Sequence, residues 1–507
     1  MISFETLYAA PPDLLRHAPV LLVAGPLIGA CAAALAPSSR WAWMISVGAT
    51  IFALWMALGV IGEVARKGVL DYYLGGFAPP AGIAFRIDGL GATMALLIAF
   101  MGAAVSLYSG HSLRAEVRHE KQTLFQSGFL LCQAGMLGLV STGDAFNAFV
   151  FLEISSIGTY ALVALGSRRD RRALPAAFTY LVMGTIGATF FVIGVGFLYA
   201  ATGTLNMEDL ALRLTPLSES RVVQAGFAFI FVGLGLKAAM FPLHGWLPGA
   251  YTFAPTAIAA FLSATATKAA IYLMARFAFT VFESDDAFVQ GFLFWALAPL
   301  AAVAAIVCSL QAAFEKDVRR ILAFSSVAQA GYILLGLAVG TVLGVSAGLL
   351  HLLAHALMKG ALFMAVGAAT LAVNARTLTD FAGAGRDAPW TMAAFTMAAA
   401  SLMGMPLTLG FLSKWRLIEA ALAQNQVWIV AVIAVSSLLA LVYVSRMFEA
   451  VFLRAPAQGA PRVKEAPVGV LVPLLILAGL SIWLGIDASL PEALADAGAR
   501  ALFGVSP

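Results

Sequence analysis

Residues 233–268 read GLGLKAAMFPLHGWLPGAYTFAPTAIAAFLSATATK, from Gly233 to Lys268, and the reading of the whole chain follows from this stretch. It begins inside one apolar run and ends inside the next. Lys237 and Lys268 each sit among apolar residues, where a soluble helix would not place an ammonium. Pro242, Pro248 and Pro255 interrupt the backbone between them, and His244 and Trp246 lie in the interruption. A lysine at membrane depth costs roughly 2.5–3.5 kcal/mol on insertion scales, so one held there has a task. Prolines there free backbone carbonyls, which is tolerated only where protein or water satisfies them again. The stretch therefore reads as a broken membrane helix, a re-entrant turn and a second charged helix, the parts of an ion path.

The composition agrees. Of 507 residues, 61% are hydrophobic and 11% charged, against about 25% charged in soluble domains, and the mean hydropathy is +0.92. This is the composition of an all-α polytopic membrane protein, each span needing about 20 mostly apolar residues. The net charge of +4 is small, and its bases lie in short clusters between spans, which orient a membrane protein rather than bind nucleic acid. Cys31, Cys132 and Cys308 lie within apolar runs, with neither metal-ligand spacing nor a disulfide framework. No nucleotide, flavin, haem or iron–sulfur motif is visible, so no cofactor and no metal is expected. The first residues, MISFETLYAAPPDLLRHAP, lack the basic region of a signal peptide and read as a short amphipathic lead-in.

Apolar runs bounded by charge or by Pro and Gly give about fourteen spans. Two look discontinuous: the seventh, 222–241, and the twelfth, 390–422, which is interrupted by Gly404, Pro406 and Gly410. The chain divides into residues 1–120 with three helices, 121–281 as a first repeat of five, 282–452 as a second, and 453–507 with a last helix and tail. The repeat rests on paired broken helices, the best sequence pointer to a transporter site. It rests also on a faint pattern shared by the fifth and tenth spans: EISSIGTYALVALG from Glu153 and SSVAQAGYILLGLAVG from Ser325, where Tyr160 and Tyr332 each stand seven residues on. Five spans per half would make the halves inverted. Arg114, Arg118, Lys121, Arg168, Arg169, Arg171, Arg172, Lys316, Arg319, Arg320, Arg376 and Arg386 fall in alternate loops. The excess of bases places those loops in the cytoplasm and both termini outside, in a bacterial inner membrane.

The buried ionisable residues carry the chemistry. Glu153 lies in FVFLEISSIG; His351, His355 and Lys359 recur every fourth residue in HLLAHALMKG and so share one helix face; Lys414 and Glu419 follow the break in the twelfth span. Each has a plainer reading. Glu153 and Lys237 could be an ion pair that only holds two helices, Lys414 and Glu419 likewise, and the histidines could be satisfied core residues or a helical metal pair. Taken together they form a proton relay. Burial disfavours an ammonium and a nearby carboxylate favours it, so moving Glu153 would switch Lys237 between holding and releasing a proton. Histidine, which titrates near neutral pH, suits the links between lysines. The row is Glu153, Lys237, Lys268, His351, His355, Lys359 and Lys414, with His244 and Glu419 as secondary candidates. An intramembrane enzyme built on the histidines and a passive structural subunit are the readings from other classes. The second leaves the aligned lysines unexplained.

TGDAFNAFVFLEISSIGTYAL, GLGLKAAMFPLHGWLPGAYTFAP, LSATATKAAIYLMARF, FEKDVRRILAFSSVAQAGYI, HLLAHALMKGALF and GMPLTLGFLSKW resemble, in this order, the proton-pumping antiporter-like subunits of respiratory complex I and of Mrp antiporters. Within that family the chain looks most like the D-type subunit of the Mrp sodium/proton antiporters. The resemblance implies fourteen helices in two inverted five-helix repeats with helices seven and twelve broken. It implies that Glu153 and Lys237 are the glutamate–lysine pair, Lys268 the central lysine, His351, His355 and Lys359 the connecting span, and Lys414 the terminal lysine. It implies a chain without the long lateral helix or the extra domain that some sister subunits carry. The function expected is proton translocation within a multi-subunit sodium/proton antiporter, beside the other Mrp subunits. The alternative is a membrane-arm subunit of an NADH:quinone oxidoreductase or related hydrogenase complex.

Overall fold

Polar side chains cap the starts of several of the apolar helices. Asp88 accepts from the Gly91 N–H at 3.0 Å, Asp144 from Asn147 at 2.7 Å, Asp317 from Arg319 at 2.9 Å and Thr341 from Gly344 at 3.2 Å. Each satisfies an otherwise unpaired amide of the first turn. The helices they start are Gly89–Glu116, Ala145–Ala164, Val318–Ala338 and Val342–Ala369. The computed structural model describes residues 12–371, 373, 375–456 and 462–505, so most of the expected lead-in lies outside the described residues.

The chain is nearly all helical, and among the described residues eleven helices are long and apolar enough to cross a membrane. The expected seventh and twelfth spans are not among them because both are broken. The first ends at Lys237 (Arg221–Lys237) and resumes as the short helix Leu247–Phe253. The second stops at Met403 (Pro389–Met403) and restarts as Leu409–Ala423. A further interruption was not read from the sequence: Thr265, at φ −127° and ψ −50°, separates Thr256–Ala264 from Ala266–Arg276, three residues before Lys268. Nothing but a threonine marks it. Also unread were the hairpin Leu70–Tyr73 with Ala84–Ile87 and the amphipathic helices Met207–Leu214 and Ser489–Leu502. They are short and half polar, and a search for long apolar runs passes over them.

Val342–Ala369 is the axis of the molecule, and the whole of its apolar window is buried. A membrane helix with no lipid-facing side is free to carry polar groups inward. At one end of the bundle the basic loops converge. Glu116, 1% exposed, takes hydrogen bonds from the Thr256 N–H at 2.8 Å and from Arg169 at 2.7 Å, with Arg319 at 3.4 Å. Arg376 pairs with Asp170 beside it. At the opposite end of the same helix, Gly89–Glu116, the Asp88 carboxylate is gripped by both Arg276 nitrogens at 2.5 and 2.7 Å, and Arg86 bridges Asp71 at 2.9 Å and Glu208 at 3.2 Å. The two sets of bases separated by the sequence thus lie at opposite ends. Arg118 and Arg171 are exposed at the first and Arg213 at the second. Single cysteines at Arg118 and Arg171 are expected to resist an impermeant thiol reagent in intact cells, while one at Arg213 reacts. Labelling of the Arg171 site from outside would reverse the orientation.

Candidate functional site

The candidate site is made of buried ionisable side chains, of which Lys237, Lys268 and Lys414 stand beside interruptions in their helices. At one end stands Lys237, on the last turn of Arg221–Lys237. Its Nζ donates to Ser156 Oγ at 2.7 Å, Glu153 Oε1 at 3.3 Å and Tyr160 Oη at 3.4 Å. All three acceptors belong to Ala145–Ala164, at i, i+3 and i+7, one face of a helix. The break behind Lys237 is closed by Trp246, whose Nε1 donates to the Leu236 carbonyl at 2.9 Å. The Glu153 side chain keeps 23% of its surface exposed, while that of Lys237 keeps 8%.

Lys268 lies next. It is fully buried, and its Nζ donates to the Ser263 carbonyl, on the far side of the Thr265 interruption, with Thr267 Oγ1 at 3.4 Å. No carboxylate contacts it among the described residues. Lys268 interacts electrostatically with Lys359, His355 and His351 of Val342–Ala369. Lys359 donates to the Leu322 carbonyl at 2.9 Å and to Ser325 Oγ. The His351 ring has Ser413 Oγ 2.9 Å from Nδ1 and Gln329 Oε1 3.0 Å from Nε2. The His355 ring lies parallel to it at 6.4 Å, and neither of its nitrogens has a hydrogen-bond partner among the described residues.

Lys414 ends the row. Its Nζ donates to the Met403 carbonyl at 3.0 Å, to Leu402 at 3.3 Å and to Ser437 Oγ at 3.3 Å. The two carbonyls are those freed when Pro389–Met403 stops. Gly404 makes this possible twice over: its φ of +90° suits glycine, and a Cβ there would lie 3.2 Å from the Lys414 side chain. Lys414 is within electrostatic reach of His351, and Ser413, its neighbour in sequence, already touches that ring.

The secondary candidates stand apart. His244 stacks on Phe241 at 5.2 Å in the turn after Lys237, and its Nδ1 has no partner among the described residues. Glu419 does not pair with Lys414; it accepts from Trp415 Nε1 at 2.8 Å and from Arg416 at 3.1 Å on the outer surface. The residues that sequence reasoning missed are the uncharged partners Ser156, Ser263, Ser325, Gln329, Ser413 and Ser437. Serine and glutamine are ordinary in a membrane helix until a lysine is seen to face them.

Four likenesses to known proteins bear on this arrangement. The family described as NADH:quinone oxidoreductase/Mrp antiporter, transmembrane, matches residues 142–440. The N-type subunit of the NADH-quinone oxidoreductase of Desulforudis audaxviator (strain MP104C) is 43% identical, over 93% of this chain and 96% of its own. The D-type subunit of the Na(+)/H(+) antiporter of Bacillus subtilis (strain 168) is 31% identical, over 87% of this chain and 88% of its own. A chain of the membrane-bound sulfane sulfur reductase, an archaeal respiratory membrane complex, superposes with a TM-score of 0.88 at 32% identity, covering 96% of this chain and 97% of that one.

Proposed function

Because the chain belongs to the family of proton-conducting membrane subunits shared by NADH:quinone oxidoreductases and Mrp antiporters, we propose that Glu153, Lys237, Lys268, Lys359, His355, His351 and Lys414 form its proton path. The observation that carries this is a set of buried lysines and histidines with one carboxylate, in which Lys268, Lys359 and Lys414 are held by neutral oxygens alone. An ammonium held by carbonyl and hydroxyl oxygens is not locked there as one in a tight ion pair would be. Like charges in a medium of low dielectric repel strongly, so a proton arriving at Lys268 disfavours one at Lys359 and drives it along the row. Glu153 at the entrance supplies the opposite sign. When it faces Lys237 at 3.3 Å the proton is held; when it turns away the proton is free to move on.

The reading of the host assembly is supported by the relatives rather than by the ionisable residues. The identity of 43% to the N-type subunit of a quinone oxidoreductase, against 31% to the D-type subunit of an antiporter, favours a redox-driven complex over the Mrp antiporter expected from the sequence. The Mrp reading, with sodium as the exchanged ion, is kept as the second because the antiporter relative covers nearly as much of the chain. In either host the chain has sister subunits and supplies the proton path, not the energy. Vesicles holding the chain alone are expected to show no coupled proton transport, and vesicles holding the whole complex to show it. Purification under mild detergent separates the hosts: quinone-reductase or hydrogenase subunits support the first, and small antiporter subunits the second. Full sodium/proton exchange by the single chain would overturn both.

A further inference from the structure

The faint pattern shared by the two halves has a physical meaning that the proton path above does not use. Tyr160 stands seven residues after Glu153, and Tyr332 seven after Ser325. The Tyr160 ring centroid lies 5.9 Å from Lys237 Nζ, and the Tyr332 ring centroid 5.2 Å from Lys414 Nζ. These are the lysines at the breaks of the two discontinuous spans, one in each half. An ammonium within about 6 Å of an aromatic face is drawn to it, most strongly where water is excluded. Both rings are buried, Tyr332 completely.

The settings differ, for Lys237 lies at the hydroxyl edge of its ring, 3.4 Å from Tyr160 Oη, rather than over the face. Lys237 has Glu153 as a counter-charge. Lys414 has only the two carbonyls and Ser437, since Glu419 is turned to Arg416 and the carboxylate position of the first half is Ser325 in the second, where it binds Lys359. The back of each ring differs too. Tyr160 packs edge-on to Tyr180 at 4.8 Å, which stacks on Trp246 at 4.1 Å; Tyr332 packs against the His351 ring at 5.2 Å. Tyr332 therefore touches both of the last two stations, and its hydroxyl lies 3.3 Å from Ser437 Oγ, itself an acceptor for Lys414. Resting on the proton path above, we propose that Tyr332 holds Lys414 against its aromatic face, whereas the positionally equivalent Tyr160 offers Lys237 only its hydroxyl, and that Tyr332 matters more because Lys414 has no carboxylate.

The test is transport by the assembled complex in vesicles. Tyr332→Phe keeps the ring and loses the hydroxyl; Tyr332→Leu loses both. Phe is expected to transport near the parent rate and Leu to fall about tenfold, the loss of a desolvated cation–π contact. Tyr160→Leu should fall less, because Glu153 remains. Phenylalanines of increasing ring fluorination at position 332 keep the shape while weakening the face, and transport should decline stepwise with fluorination. That gradation would not arise from a packing role, and it decides the matter even if Tyr332→Leu fails to assemble. Equal loss in Phe and Leu, or a flat fluorinated series, overturns the inference. A flat series beside a dead Lys414→Ala variant overturns only this inference; a Lys414→Ala variant that transports at the parent rate overturns the proton path with it.

Discussion

Lys414→Arg is expected to abolish proton transport as completely as Lys414→Ala, by about a hundredfold or more, the scale on which a positioned proton donor acts. A carrier must both take up and release a proton, and arginine in proteins stays protonated. The charge would survive and the function would not. The surroundings sharpen the case. The ammonium is held at 3.0–3.3 Å by two carbonyls and a serine, with Gly404 pressed against its stem. A structural lysine would be matched to an anion, and arginine would serve such an anion as well or better. No carboxylate contacts Lys414 among the described residues; Glu419, the nearest in sequence, is engaged by Trp415 and Arg416. Transport and assembly of both variants are to be measured together. Transport by the Arg variant at more than about a tenth of the parent rate removes the carrier role.

Glu153→Gln is expected to leave the protein folded and abundant while transport falls about tenfold or more, through loss of the charge that favours the ammonium. The amide is nearly isosteric and still accepts a hydrogen bond from Lys237, whose shortest contact, Ser156 at 2.7 Å, is untouched. Removing one member of a fully buried ion pair costs about 3–5 kcal/mol of stability. Here the Glu153 side chain keeps 23% of its surface and Lys237 keeps two hydroxyl partners, so the loss should be well below that range. Function and stability should thus separate. Thermal unfolding of the purified complex gives one, and proton uptake by vesicles the other. A Gln variant that transports normally makes the pair a brace between helices.

The charged half of the site was legible because a lysine in an apolar run has no ordinary reason to be there. Lys237, Lys268, Lys359 and Lys414 stand out in any reading, and the spacing of His351, His355 and Lys359 places them on one face without further information. Likewise the breaks at Lys237 and Gly404 were marked by prolines and glycines. The same signals pick out His244 and Glu419, which share the region but face elsewhere. They pass over the Thr265 interruption, because one threonine inside an apolar helix is no local signal and only the packing around it decides whether the helix stays continuous.

What the sequence by itself determined is the membrane class, the nearly all-helical build, the positions of the two broken spans and the set of buried ionisable residues. Each follows from a local rule: the cost of charge in hydrocarbon, the length of an apolar run, the backbone limits of proline and glycine. The tertiary structure alone decided which groups meet. Ser413 reaches His351 across 62 positions of sequence, Lys359 reaches Ser325 across 34, and Glu116 reaches Thr256 across 140. A neutral hydroxyl or carbonyl becomes a lysine's partner only when two helices bring them within about 3 Å, and helix packing is set by the whole surface of each helix rather than by the residues that finally touch.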